Sequence, residues 1–266
     1  MIAIKDITLG QFAPKESVVH GLDPRLKILS SFFFMVLLLF TGRIEILFWF
    51  FVMVIAMYRF ARIPISNAFG NLRAFLVLFI LTFILHGFLT SGRILFRIPY
   101  LGAVFTYEGM VKGFFYTFRI CVLIVLANLL TLTTSPMSLT DALTFFLKPF
   151  RKLGVPAHEI GMMISIALRF IPIFIDESDR IKKAQISRGA RFDGGFMRKI
   201  RNISSLIIPL FVSTFRRAND LAFAMESRCY RGSEGRTSYY ILRFQRNDLF
   251  ALICVIFTGV PVFLFR

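Results

Sequence analysis

The chain has 266 residues, 56% of them apolar and 34 of them Phe, with a mean hydropathy of +0.71, which excludes a soluble domain of ordinary composition. Its formal charge of +17 is concentrated, since residues 131–246 hold 19 of the 32 Lys and Arg but 9 of the 15 acids; this is the pattern of a positive inner membrane face, and with no aromatic-and-basic platform beside it there is no case for nucleic acid as a partner. Cys121, Cys229 and Cys254 lie too far apart for a disulfide framework or a zinc site.

Residues 1–27 mix acids and bases and have no apolar core before Leu26, so no cleavable signal peptide is expected. Within them "LDPR" offers Asp23 as an N-cap and Pro24 as a first helical residue, which marks a helix start rather than a site. Apolar stretches follow at 26–40, 44–58, 72–89, 114–132 and 249–265. A span needs about 20 residues, so the last three qualify and the first two, joined by "TGRIE", form a short hairpin whose mismatch the bilayer must absorb. With the N-terminus inside, Arg59, Arg62 and Arg73 fall inside as well, and Arg266 falls outside.

Between the third and fourth stretches, "SGRILFRIPYLGAVFTYEG" alternates β-branched and aromatic residues around "YLG"; it reads either as a small extracellular β-hairpin or as a plain loop. Beyond the fourth, "DALTFFLKPFRKLG" predicts a short amphipathic helix at the interface. A second inside helix starts near Pro156, turns polar after Pro172 through Asp176, Glu177, Asp179, Arg180, Lys182 and Lys183, and stops at Gly189. A third carries Ile203, Leu206, Ile207, Leu210, Thr214, Ala218, Leu221 and Met225 as its stripe, and it too contains a proline, Pro209. Each proline favours a kink. From Pro172 to Arg188 and from Pro209 to Arg228 a helix reaches roughly 24 and 29 Å, enough to carry its end clear of the headgroups. The fold class expected is therefore an all-α membrane protein of about five transmembrane helices, with a membrane part over 1–132, a cytoplasmic part over 133–246 holding the two long helices, and a last span over 247–266.

The two long helices end alike, in "AQISRG" at 184–189 and "AMESRC" at 224–229. An Arg at a helix C-terminus meets the unpaired carbonyls and the negative end of the dipole, and the small residue after it lets the chain turn. Capping alone does not ask for the same Ala and Ser twice. A guanidinium between small neighbours also suits a groove, where it forks to carboxylates or carbonyls.

At these residues the chain resembles the transmembrane (T) component of energy-coupling factor transporters, importers of vitamins and trace metals driven by two ATP-binding cassette subunits. The resemblance runs through "LDPRLKIL", "TLTTSP", "ALRFIP", "AQISRG" and "AMESRCYRG", in that order and over nearly the whole chain. It implies that Ser187, Arg188 and Gly189 form one tip and Ser227, Arg228 and Cys229 the other, each docked in a groove of one of two ABC-type ATPase subunits. Ser stands where the family often has Ala, and Cys229 where it often has Gly. It implies further that a small substrate-binding membrane subunit, the S component, is the other partner, that ATP is bound by the partners, and that this chain needs no cofactor. The apolar stripes, including Met162, Met163, Ile207 and Phe211, are the surface expected to receive that subunit, since Met-rich faces repack to suit different partners.

Two other classes compete with this reading. A permease binding its own substrate would show ionisable groups at midplane, where only Arg119 and His86 stand, with Glu45 and Asp248 at the ends. Arg119 is near enough to a helix end to snorkel, and His86 is a packed or interfacial residue. A membrane enzyme would need clustered carboxylates, yet Asp176, Glu177 and Asp179 alternate with bases as on a solvated face with local ion pairs. Arg169, three residues before Pro172, either braces the bend or reaches the headgroups.

Overall fold

The computed structural model describes residues 12–13, 15–97, 104–189, 196–232 and 244–264. Its elements, in chain order, are α1 (Val18–Gly21), α2 (Pro24–Phe40), α3 (Ile44–Phe60), α4 (Ile65–Leu72), α5 (Leu76–Leu89), β1 (Ile94–Arg97), β2 (Val104–Thr106), α6 (Tyr107–Thr133), α7 (Pro136–Leu147), α8 (Ala157–Ser187), α9 (Phe196–Ser227) and α10 (Arg246–Leu264). The chain divides into two compact units, one containing Pro136–Ile241, the other Gly10–Ser135 with Leu242–Arg266.

In the second unit α6 is the central pillar, touching α2, α3, α4 and α5, while α10 packs on α2. Phe34, Leu37 and Leu38 of α2, Leu47, Phe50, Val54 and Tyr58 of α3, and Val122, Val125, Leu126 and Leu129 of α6 are buried together. The Tyr58 hydroxyl donates to the Val125 carbonyl at 3.1 Å, giving this apolar core a directional contact. Against α5 the pillar presents Gly109 and Gly113: a Cβ at Gly109 would lie 2.5 Å from the His86 carbonyl oxygen, and one at Gly113 would lie 3.0 Å from that of Phe83. Small residues four apart thus let two backbones approach where side chains would hold them off, as in lipid, where close packing replaces the hydrophobic effect between helices. Phe32, Leu39, Phe48, Val77, Leu81 and Phe257 are left exposed on the outer faces, as a bilayer solvent requires.

Helix starts follow capping chemistry more than hydropathy. Asp23 accepts from the Arg25 amide at 2.8 Å with Pro24 next, as the sequence predicts. The fourth apolar stretch, expected from 114, begins instead at Tyr107, because the Thr106 hydroxyl caps Gly109 at 3.1 Å and absorbs the polar turn into the helix. The third extends back to Ile65 through a 3-10 turn at Arg73–Phe75. The hairpin reading of the connection is correct: β1 and β2 pair antiparallel, with Ile94 opposite Thr106. Its "YLG" centre, like Arg266, lies outside the described residues. Among the described residues three helical stretches are long and apolar enough to cross a membrane, Ile65–Leu89, Tyr107–Thr133 and Ala157–Ser187. The last is the helix expected inside; its apolar length comes from its first half, while its second half carries the six charged residues from Asp176 to Lys183.

Arg119 does not snorkel. Its guanidinium donates to the Thr41 carbonyl, at the C-terminal end of α2, and lies 4.7 and 5.2 Å from the ring centres of Phe115 and Tyr116. A cation on orphan carbonyls is favourable to the helix dipole, and here it fastens the α2–α3 turn to the pillar. His86 is a packed residue, hydrogen-bonded to the Thr82 carbonyl at 2.9 Å, with its ring tilted against that of Tyr116 at 4.5 Å.

At the C-terminal end of the pillar a polar node forms. Lys27, 7% exposed, donates to the carbonyls of Thr133 and His20, both at 3.0 Å. Asp248, 1% exposed, accepts from the Asp23 amide at 2.8 Å and from the Gln245 amide at 2.7 Å. The arm before α2 lies on the same end, with the Ala13 amide donating to the Leu132 carbonyl at 3.1 Å. His20 bonds the Ala13 carbonyl at 3.0 Å and the Ser17 hydroxyl at 2.7 Å, and burial holds its imidazole below the usual value.

In the other unit α7 packs on α8 and α8 on α9. Gly161 permits the first contact, since a Cβ there would meet the Thr144 hydroxyl at 2.2 Å. The amphipathic helix expected from Asp141 starts earlier, at Pro136, and runs into a 3-10 turn over Lys148–Leu153 that Gly154 ends at φ 86°. Pro172 and Pro209 each sit inside a continuous helix.

Candidate docking tips at two helix ends

The α8 helix closes with Ser187 and α9 with Ser227, so Arg188 and Arg228 take the same position, the first residue past a helix of more than 30 residues. The Arg188 amide still reaches back to Ala184 and Gln185 at 3.2 and 3.1 Å, and the Gly189 amide to Ile186 at 2.9 Å. At the second end the Arg228 amide bonds Met225 at 3.2 Å, Cys229 bonds Glu226 at 2.9 Å, and Tyr230 returns to Met225 at 3.0 Å. The residue after each arginine is left-handed, Gly189 at φ 87° and Cys229 at φ 57°. For Cys that conformation costs about 1 kcal/mol more than for Gly. The second tip keeps the shape of the first despite a side chain that disfavours it.

Both serines turn their hydroxyls onto their own helix, Ser187 to Lys183 at 3.2 Å and Ser227 to Ala224 at 3.1 Å. They terminate the helix internally and leave the arginines to face outward. All six tip residues are exposed, and among the described residues neither guanidinium makes a hydrogen bond or ion pair. Carbonyl capping, the simpler explanation of an arginine at a helix end, is carried out by backbone amides; the side chains stay available for a planar acceptor in another molecule.

Of the apolar residues singled out in the sequence, three are open and one is not. Met163, Ile207 and Phe211 are 56%, 55% and 60% exposed, whereas Met162 is half-buried. Beside them Ile208, Val212 and Phe215 are also exposed, with Phe211 and Phe215 rings 4.6 Å apart. Sequence reasoning missed Ile208 and Val212 because 206–212 is apolar on every face, so periodicity gives no direction there, and Phe215 follows one turn on. The Ile203 side chain of the predicted stripe lies outside the described residues.

Among the described residues the acidic run does not form local ion pairs. Glu177 bonds Arg217 of α9 at 3.2 Å, an interhelical clamp, and no metal-binding cluster occurs among the described residues. Arg169 is exposed and does not brace Pro172. Outside the membrane stretches, burial pushes the Asp141 carboxyl up.

A family model described as cobalt transport protein matches residues 15–239. The chain is 47% identical over 255 residues to the energy-coupling factor transporter transmembrane protein EcfT of Thermosediminibacter oceani, covering 94% of each chain. It is 41% identical over 271 residues to the protein of that name from Acidaminococcus fermentans, covering 97% of this chain and 99% of the other. To that of Bacillus subtilis it is 38% identical over 261 residues, 97% of each.

Proposed function

Because the chain belongs to the family of transmembrane proteins of energy-coupling factor transporters, as an integral membrane component, we propose that it is the subunit that transmits motion from two ABC-type ATPase subunits to a separate substrate-binding membrane subunit, for uptake of a vitamin or trace metal. The observation that carries this reading is the matched pair of tips. Two exposed arginines, each framed by small residues and each at the end of a stiff rod, give a lever with two handles.

Each tip enters an apolar groove with an acidic rim on one ATPase: Ser187, Arg188 and Gly189 on the first, Ser227, Arg228 and Cys229 on the second. The open face of α9 with Met163, together with the membrane spans, receives the S component. The lipid bilayer surrounds the remaining apolar faces, and the tips point to the cytoplasm. ATP binds and is hydrolysed on the partners, so this chain carries no active site and takes no cofactor. A permease with its own polar path is less well supported, because Arg119 and His86, the ionisable groups near midplane, are engaged in packing and capping.

Site-directed cross-linking tests the docking. With Cys229 replaced by Ser, cysteines at positions 188 and 228 are each paired with cysteines in the ATPase grooves of the assembled complex. Cross-linking at both positions is expected; its absence at both rejects the assignment.

A further inference from the structure

The chain leaves the membrane unit after Ser135, just past the end of α6, and returns to it at Leu242, ahead of α10. The helices that flank these two crossings, α6 and α10, both contribute to the polar node of the membrane unit. Two residues before the first crossing is Thr133, whose carbonyl accepts from Lys27 at 3.0 Å. A short way past the second is Asp248, whose carboxylate holds the Asp23 amide at 2.8 Å. Asp23 and Lys27 are one helical turn apart on α2, with the Lys27 amide donating to the Asp23 carbonyl at 3.1 Å. The node therefore links the end of α6 and the start of α10 through a single turn of α2.

We propose that Lys27 and Asp248 are positioning residues that make the two crossings one mechanical anchor, so that force reaching the membrane unit from the coupling unit moves α6 and α10 together instead of bending either alone. The chemistry is suited to this. The last carbonyls of α6 are orphan acceptors, and the ammonium and the Ala13 amide satisfy two of them, those of Thr133 and Leu132. Asp248 spends both oxygens on backbone amides, one at its own helix start and one at the start of α2. Backbone partners cannot swing away as side chains do, so each bond fixes a helix end. Burial of both side chains keeps water from competing for these bonds. Arg119, midway along α6, separately secures the pillar to Thr41 at the C-terminal end of α2.

This inference rests on the coupling role proposed above, and one readout is independent of that role. Spin labels at Thr131 of α6 and Leu252 of α10, with Cys121, Cys229 and Cys254 replaced by Ser, report the distance between the two anchored helices within the membrane unit. A single narrow distance is expected in the parent, broadened in Lys27→Met and Asp248→Ala, and restored in Lys27→Arg. In the complete reconstituted transporter the same two variants are expected to retain both ATPases and to hydrolyse ATP at near the parent rate, while uptake per ATP falls several-fold and recovers in Lys27→Arg. Unchanged distances in the variants overturn the anchor. So does loss of complex, hydrolysis and uptake in parallel without rescue by Arg, since that is the mark of a folding defect alone. A parent complex that holds no ATPase would instead sink the coupling role while the distance result stood by itself.

Discussion

Gly189 and Cys229 share one backbone conformation, left-handed at φ 87° and 57°, each directly after an exposed arginine. A glycine takes this conformation freely, while a cysteine resists it, so the second tip holds its turn against intrinsic preference. Replacing Cys229 with Gly is expected to leave ATPase retention intact and to raise thermal stability by about 1 kcal/mol or less. Gly189→Val places a β-branched side chain in the same conformation and is expected to reduce retention at that tip, scored by pull-down of the ATPases.

The arginines are expected to act as linked but separate attachments. Arg188→Ala or Arg228→Ala removes the fork from one tip at about 1.5 to 3 kcal/mol, and bivalency keeps the complex together. Each single variant should lose more uptake than complex, and the double variant should release the ATPases. Lys at either position keeps the charge without the fork and should give an intermediate result. ATPase retained, ATP hydrolysed and substrate taken up are measured separately; full uptake in the double variant would reduce both residues to helix ends.

Charge on the open face of α9, or at Met163 of α8, should act on the other partner. Phe211→Glu and Met163→Lys each bring a charge onto apolar surface that is more than half exposed in this chain, so folding is spared, but burial under a partner then carries a desolvation cost. Co-purification of the substrate-binding subunit is expected to fall while both ATPases remain. Loss of all three subunits together would count against this surface.

The His20 arm predicts a pH dependence. Its imidazole titrates below the usual 6.5 because burial disfavours the charged form, so it is neutral when folded. Its contribution is complete above 6.5 and is lost as pH falls below that value toward the lowered native one, because the unfolded chain then binds the proton more readily. Melting temperature in detergent is expected to drop between about pH 7.5 and about pH 5.5, and less so in His20→Gln, which keeps a donor for Ala13 and an acceptor for Ser17. Asp141, pushed up by burial, has the opposite sign, so it is the difference between parent and variant that isolates His20.

What could be read from the sequence was what neighbours in the chain decide. Asp23 and Pro24 start a helix because the cap bond spans two residues, and both tips end where a small residue follows Arg, again a local matter. The start of α6 escaped hydropathy because Glu108 and Lys112 dilute its first turns, although the Thr106 cap was there to find. Arg119 was misjudged because its acceptor, Thr41, is 78 positions away, and Glu177 because its partner sits on a different helix. Asp248 reads in the sequence as a charge at a helix end and Lys27 carries no signal of its own; only tertiary structure brings their partners within reach. On α9 the open face was hidden by excess, since apolar residues all round a helix name no side.

The bond between Asp23 and Asp248 joins residues 225 positions apart. At roughly 5 to 20 residues per second, synthesis must continue for about 10 to 45 s after Asp23 emerges before its acceptor exists. Through that interval the first spans sit in the bilayer with one of the node's bonds unmade, and the Lys27 contact must likewise wait for the end of α6. The membrane unit is thus completed by its last helix rather than its first, and a ribosome that stops before Asp248 leaves behind spans that have been inserted but not yet locked.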